Sequence, residues 1–484
     1  MNFQENTPYD ILTEKWDPVL SHEALPKIQD DYRKKVTAVL LENQEQALRQ
    51  QHLVEDMASG NNLGMPSTFN NTGSVAGYDP VLISLIRRSM PNLMAYDICG
   101  VQPMTAPTGL IFAMRANYQY AGTGKTYGQS GYAEAMFQEP QPQYGGSGWT
   151  LPNGYNGLSA GFGASYGYGV SIVPTQSNLN NLRGILTQNG EGIGSNPAGT
   201  SGGYLIPGTA QYGTWNQMAF SIDRVAVQAR TRALSSNYTV ELAQDLKAVH
   251  GLDAEAELAN LLSTEILAEI NREIVRTIYF VAKTGSQQPD LSAYSTGRGQ
   301  YDLDVDSDGR WSAERFRGLS FQIERECNQI AKETRRGKGN FIICDSDTAA
   351  ALAMSGFMSL SPAIAPQLNV DDTQSTFAGI LSGKIRVYID PYSPAGYNFF
   401  VAGYKGESPY DAGLFYCPYV PLQMVRAVDP NTFQPRIAFK TRYGVVANPF
   451  VLNNNNVPDA DNLSPGLNQY YRLTSILNLH GNTI

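Results

Sequence analysis

The sequence predicts an α+β chain built on two long strands, one unusually long helix and a series of short C-terminal strands. Three observations carry that expectation. TGLIFAMRANYQY (108–120) and AFSIDRVAVQARTRALSS (219–236) alternate in polarity as half-buried strands do. DAEAELANLLSTEILAEINREIVRTIYFVAK (253–283) runs without Gly or Pro and repeats its apolar residues at helical steps. FIICD, KIRVYID, NFFVAGY, GLFYCPY and RIAFKTRYGVVANP then read as strands in close succession.

Residues 1–60 are helical in pattern. Leu25, Ile28, Tyr32, Val36, Val39, Leu40 and Leu48 predict an amphipathic helix over about 25–50. ASGNNLGMPST follows with the composition of a linker. In the first long strand Leu110, Phe112, Met114, Ala116 and Tyr118 share a face opposite Arg115 and Asn117. Composition then changes. Residues 140–218 hold 18 of the 46 glycines and two charges, Arg183 and Glu191. Trp149, Phe162, Tyr166, Ile172 and Trp215 are scattered through them, which a plain linker would lack. The segment reads as a loop-rich, mostly β insertion. The second long strand follows, with Val225, Val227, Ala229 and Thr231 on one face and Gln228, Arg230 and Arg232 on the other. The two strands read as arms of an extended β-hairpin. A two-stranded ribbon is marginal alone, so these arms need a partner surface.

Gly251 suits the position after a helix over YTVELAQDLKAVH. Asp253 is placed to cap the long helix, with Glu255 and Glu257 favourable in its first turn. Leu258, Leu262, Ile266, Ile270, Ile274 and Ile278 form its apolar stripe, broadened by Leu261, Leu267 and Val275. At 1.5 Å per residue it spans roughly 45 Å, the length of a spine on which several elements pack. ERFRGLSFQIERECNQIAKETRR reads as a helix ended by Gly337, and Asp345 as the cap of a helix ended by Gly356.

Composition excludes several function classes. The chain has 484 residues and a net charge of −9, against a broad basic nucleic-acid surface. Cys99, Cys327, Cys344 and Cys417 are far apart and read as free buried thiols. Four widely spaced histidines give a metal site little to build on, and no cofactor or metal is expected. No basic n-region opens the chain and no run of 18 apolar residues occurs, so a soluble chain without a secretory signal is expected. AGTGKT (121–126) lacks the first glycine of a phosphate loop, Gln119 standing in its place. DLDVDSDGRWSAER offers Asp304, Asp306, Asp308 and Gly309 for a calcium loop, but Arg315 stands where the bidentate glutamate belongs. A solvated acidic turn is the expectation there. The basic run Lys332–Lys338 reads as a solvated loop.

VELAQDLKAVHGLDAEAELANLLSTEILAEINREIVRTI (from Val240) closely resembles the major capsid proteins of T-even-like tailed bacteriophages. SVAGYDPVLISLIRRSMPNLMAYDICGVQPMTAPTGLIFAMRANY (from Ser74) and FIICDSDTAAAL (from Phe341) resemble the same family. The resemblance covers residues 70 to 450 and implies the Hong Kong 97-type capsid fold. It implies an N-terminal helical segment (1–60) that maturation can remove, an N-arm (61–105), and an extended loop (106–235) carrying the insertion (140–218). A peripheral domain with the spine helix (236–336), an axial domain (337–424) and a return to the peripheral domain (425–484) complete it. The implied function is a shell of hexameric capsomers enclosing DNA without sequence-specific binding, made in the host cytoplasm and residing in the virion capsid. Implied partners are further copies, a vertex protein, and portal, scaffold, prohead protease and decoration proteins, with no membrane. The alternatives are the pentameric vertex protein of the same fold and a carbohydrate-binding structural protein working through the insertion. Hydrolysis there is disfavoured, since the insertion holds one acid.

Two sets of residues are candidates for a role. Arg115, Arg230 and Arg232, on polar strand faces, are expected to meet acidic groups of an adjacent subunit. The family's protease cuts after Glu, with Leu or Ile two residues before it and a small residue after. Leu53–Val54–Glu55 fits on the left and Asp56 departs on the right. Glu55 is favoured as the cut because it is expected between the helix and the linker, where backbone is accessible.

Overall fold

The computed structural model describes residues 8–22, 28, 30–58, 86–87, 90, 93–118, 218–288, 299–307, 311–360, 377–394, 396–429, 432–451 and 463–479. The insertion, apart from Met218, and the AGTGKT turn lie outside the described residues. The chain divides into two compact units. One comprises Met1–Ile111, Val225–Val451 and Pro458–Ile484; the other comprises Phe112–Arg224 and Leu452–Val457. The fold is α+β, as the sequence predicts.

Helices α1 (Pro8–Leu20) and α2 (Asp31–Ala58) open the chain, followed by a short α3 (Ala95–Ile98) and β1 (Gly100–Val101). The N-terminal helical reading is therefore right in kind, but the second helix starts later than expected and runs on to Ala58. Strands β2 (Thr108–Tyr118) and β3 (Met218–Gln228) pair as a two-stranded ribbon. Strand β4 (Arg230–Asn237) continues from β3 after a break at Ala229 and joins a second sheet. That sheet runs β1–β12–β13–β4, with β12 (Leu414–Val428) and β13 (Pro435–Ala447) antiparallel.

Helices α4 (Val240–Val249) and α5 (Ala254–Val281) follow. The Thr239 hydroxyl accepts from the Leu242 amide, and the Asp253 carboxylate accepts from the Glu255 amide. Gly251 has φ +68°, a conformation costly for residues with a Cβ. The expected stripe on α5 is buried from Leu262 to Ile278, because it faces the main core, and Leu267 and Val275 widen it. Leu261 is a correction: it points outward and is 63 % exposed.

A third sheet has the order β5–β14–β11–β7–β10–β9–β8, with β6 added beside β14. Its strands are β5 (Ala282–Thr284), β6 (Gln300–Asp302), β7 (Phe341–Asp345), β8 (Met358–Leu360), β9 (Phe377–Leu381), β10 (Ile385–Asp390), β11 (Asn398–Gly403) and β14 (Asn468–Leu477). The boundary expected at residue 424 falls inside β12, and the last strand pairs antiparallel with β11 of this third sheet. Helix α6 (Ser312–Thr334) packs on β14 and β11, and α7 (Ser346–Met354) begins at the Asp345 cap. The terminator expected for α6 is also corrected. Arg335 takes the left-handed position with φ +56°. Gly337 is needed two residues on, where a Cβ would come within 2.3 Å of the Tyr404 ring.

Candidate inter-subunit surface

The ribbon is where the chain departs furthest from a self-sufficient subunit. At its root Ile111, Val225 and Val227 bury against Phe415, Cys417 and Val446 of β12 and β13. Gly444 permits that approach, since a Cβ there would come within 2.6 Å of Val227. Further along, the side chains facing solvent are the apolar ones. Phe112 and Met114 on β2 are 57 % and 67 % exposed; Met218, Phe220 and Ile222 on β3 are 53 %, 71 % and 59 % exposed. The alternation is correct on both strands: on β2 the apolar row of Leu110, Phe112 and Met114 is the uncovered one, whereas on β3 the row of Val225 and Val227 is buried and Met218, Phe220 and Ile222 lie on the opposite, uncovered row. Exposed apolar rows of this kind mark protein-interaction surfaces.

The arginines expected to reach an adjacent subunit have different fates. Arg115 lies in β2, with its side chain outside the described residues. Arg230 begins β4 and faces solvent. Arg232 meets two acids of its own chain: Nη1 reaches Glu269 at 2.8 Å and Nη2 reaches Glu273 at 2.7 Å, while Nε donates to the Tyr443 hydroxyl. The break at Ala229 explains this. Odd positions 223, 225 and 227 are buried before it; even positions 232, 234 and 236 are the more buried after it. One extra residue turns Arg232 onto the α5 side. Glu55 and Asp56 fall in the last turn of α2, not in a connecting segment, and their side chains lie outside the described residues.

Other ion pairs also tie elements of the same chain together. Arg272 on α5 binds the buried Asp390 at 2.6 Å, and Tyr279 donates to the same carboxylate at 2.9 Å. Arg426 pairs with Glu255 at 2.5 Å. Sequence reasoning missed the most buried network. Glu326, fully buried, accepts from the Ser286 amide, Gln288 and Gln322 on one oxygen and from Arg472 at 3.3 Å on the other. Arg472 also reaches Glu333, which binds Lys283. No local motif announces it, because its members are 146 residues apart.

Among the described residues no group of three or more His, Cys, Asp or Glu could hold a metal. In the acidic turn Arg315 itself pairs with Asp304, so the cation there is a side chain. A cavity of about 20 Å³ beside Asn271, Arg272, Asp390 and Tyr392 has room for one water. All four thiols are buried, and burial pushes Cys99, Cys327 and Cys417 up to about 12. They are poor nucleophiles at neutral pH. No described helix is long and apolar enough to cross a membrane.

The described residues thus combine a built-up core with a ribbon whose apolar rows are uncovered, the kind of surface that marks protein interaction. Residues 75–476 match the family described as Major capsid protein Gp23. The chain is 37 % identical to the major capsid protein of Escherichia phage AR1 over 488 residues, covering 91 % of each. Against that of Enterobacteria phage T6 it is 36 % identical, covering 91 % of this chain and 95 % of the relative. The capsid vertex protein of Enterobacteria phage T4 matches more narrowly, at 31 % identity over 48 % of this chain and 53 % of that protein. Among solved structures, the capsid of Myoviridae phage XM1 is similar at a TM-score of 0.36 and 9 % identity, covering 78 % of this chain and 90 % of that one. The chain belongs to the Gp23 major capsid protein family. It is a structural protein of a tailed-phage virion capsid.

Proposed function

We propose that copies of the chain assemble into hexameric capsomers of a Hong Kong 97-type shell around packaged DNA. The observation that carries this reading is the apolar row on each ribbon strand, Phe112 and Met114 with Met218, Phe220 and Ile222. Water-facing rows of this size are stabilised when a neighbouring copy covers them. The ribbon then serves as the extended loop and carries residues 140–218 as an inserted domain. Arg115 and Arg230 meet acids of the adjacent copy, while Arg232 positions β4 on α5. The net charge of −9 suits a wall that does not grip phosphates. The chain performs no catalytic step, and the vertex, portal, scaffold and decoration proteins are its partners in the particle.

Maturation by the phage protease removes residues 1–55 in this reading, with the end of α2 opening to admit the cut after Glu55. Mass spectrometry of the capsid band tests this: a terminus at Asp56 supports it and an intact Met1 end defeats it. The narrower vertex-protein match favours the major over the vertex role, and copy number decides, since a major protein dominates a virion gel. Electron microscopy of the expressed chain with its folding chaperone tests assembly. Hexamers, tubes or shells support the proposal; monomers alone contradict it.

A further inference from the structure

Helix α6 turns one side to the third sheet and keeps a row of side chains on its solvent side. Arg317, Phe321, Arg325, Asn328, Lys332 and Arg335 recur there at steps of three or four residues. Phe321 is 65 % exposed, with the Arg325 guanidinium 5.8 Å over its ring. An aromatic ring with an arginine beside it is the composition of an interface anchor. Arg317, Lys332 and Arg335 form no ion pair among the described residues, and Glu314 heads the row. A second face carries the opposite charge. Helix α4 buries none of its ten residues, and a helix that short is marginal in water without cover. Leu242 and Val249 on α4, Leu252 after it and Leu261 on α5 are exposed. Asp245 lies three residues after Leu242 and four before Val249, and Glu257, Leu261 and Glu265 follow one another at four-residue steps on α5. Glu241, Asp245, Glu257 and Glu265 are exposed and form no ion pair among the described residues; Lys247 is the cation in their midst.

We infer that these two faces meet between copies: the basic, aromatic row of α6 docks on the acidic, apolar face of α4 and α5 of the next copy. The inference rests on the assembly reading above. Charge selects the occupant. Either face set against its own kind opposes like charges, which disfavours a two-fold contact through it. Unlike faces attract. A contact between unlike patches of identical chains runs head to tail and makes a ring when the rotation closes, which is what a hexameric capsomer requires. One exposed ion pair is weak by itself. Phe321 set among Leu242, Val249 and Leu261 adds apolar burial, and the ring repeats both at every subunit boundary.

The test reverses charge in the full-length chain. Arg317→Glu with Lys332→Glu inverts the first face, and Asp245→Lys with Glu265→Lys inverts the second. All four side chains are exposed, so the urea midpoints of the isolated subunits should stay close to the unsubstituted value. Pairing predicts that each two-site variant loses particle yield about tenfold, and that the four-site chain, whose faces complement each other again, returns to within about twofold. A control chain joins Arg317→Glu and Lys332→Glu to Glu14→Lys on α1 and Glu407→Lys after β11, which restore net charge outside both faces; its yield should stay low. Recovery of the control, failure of the four-site chain to recover, or normal particles from either two-site variant overturns the pairing while assembly stands. Zero-length carbodiimide cross-linking reads the same contact without substitution, in particles assembled from equal amounts of isotope-labelled and unlabelled chains. Peptides that join Lys332 of one chain to Asp245, Glu257 or Glu265 of the other support the pairing, and their absence overturns it. If the unsubstituted chain forms no particles, the assembly reading fails and the pairing fails with it.

Discussion

Helix α5 and the β2–β3 ribbon are both long, exposed along much of their length and rich in apolar residues, yet they dispose of those residues in opposite ways. The helix turns Leu262, Ile266, Ile270, Ile274 and Ile278 inward and spends Glu269, Arg272 and Glu273 on partners of the same chain. Beyond its root the ribbon turns Phe112, Met114, Met218, Phe220 and Ile222 to water. The difference separates what a subunit needs in order to fold from what it holds for its neighbours. Substitutions along the two elements should therefore fall into two classes, one read by stability and the other by assembly.

The sharpest break on the folding side is Arg472→Met. It leaves Glu326 fully buried without its cation, and loss of one member of a buried pair costs about 3–5 kcal/mol. A urea midpoint close to the unsubstituted value would show that the pair is dispensable. Ile270→Ala on α5, at a fully buried position, should cost about 2–5 kcal/mol with assembly lost only through instability. Alkali provides a graded probe of the same core. Burial holds Cys99, Cys327 and Cys417 protonated up to about 12, against an ordinary value of 9.0. The unfolded chain releases these protons near pH 9 and the native chain does not. Their contribution is therefore complete below pH 9 and is lost as pH rises toward 12. Denaturation midpoints across that range, with thiol labelling at pH 8 that follows unfolding, check it.

Smaller effects separate the elements further. Arg232→Ala removes two partly exposed ion pairs and should cost about 1 kcal/mol or less. The substitution Arg230→Glu, at an exposed position, should leave a folded subunit that forms no shells; normal particles in the microscope would remove Arg230 from assembly. Smallest in stability, and largest in assembly, is the pair Phe112→Asp and Phe220→Asp. Both sites are exposed, so the isolated subunit should shift by about 0.5 kcal/mol or less while particle yield collapses.

Much of the fold was legible locally. The caps Asp253 and Asp345, the turn at Gly251 and the stripe on α5 were all readable, because each depends on neighbours within a turn or two of helix. The long strands were readable from alternation alone, but which face would be left in water was not. That depends on Phe415 and Val446, distant in sequence, covering one face of the ribbon root. Arg232 was misplaced for a related reason, since the break at Ala229 reverses the alternation and nothing in ARTRALSS marks it. The junctions at Asp390 and Glu326 join residues more than a hundred positions apart, beyond any periodic signal. Family membership was the most legible feature of all, carried by the long runs from Ser74 and Val240.

The claim that the ribbon's apolar rows are reserved for neighbouring copies is tested most directly by oxidative footprinting. Met114 and Met218 are 67 % and 53 % exposed in the isolated chain. Brief hydroxyl-radical treatment of unassembled subunits and of intact particles, read by peptide mass spectrometry, reports the oxidation of each methionine in both states. Met354, 68 % exposed on α7, serves as an internal reference outside the ribbon. The account predicts that Met114 and Met218 oxidise readily in the subunit and become protected several-fold in the particle. Equal oxidation of Met114 and Met218 in both states would contradict it.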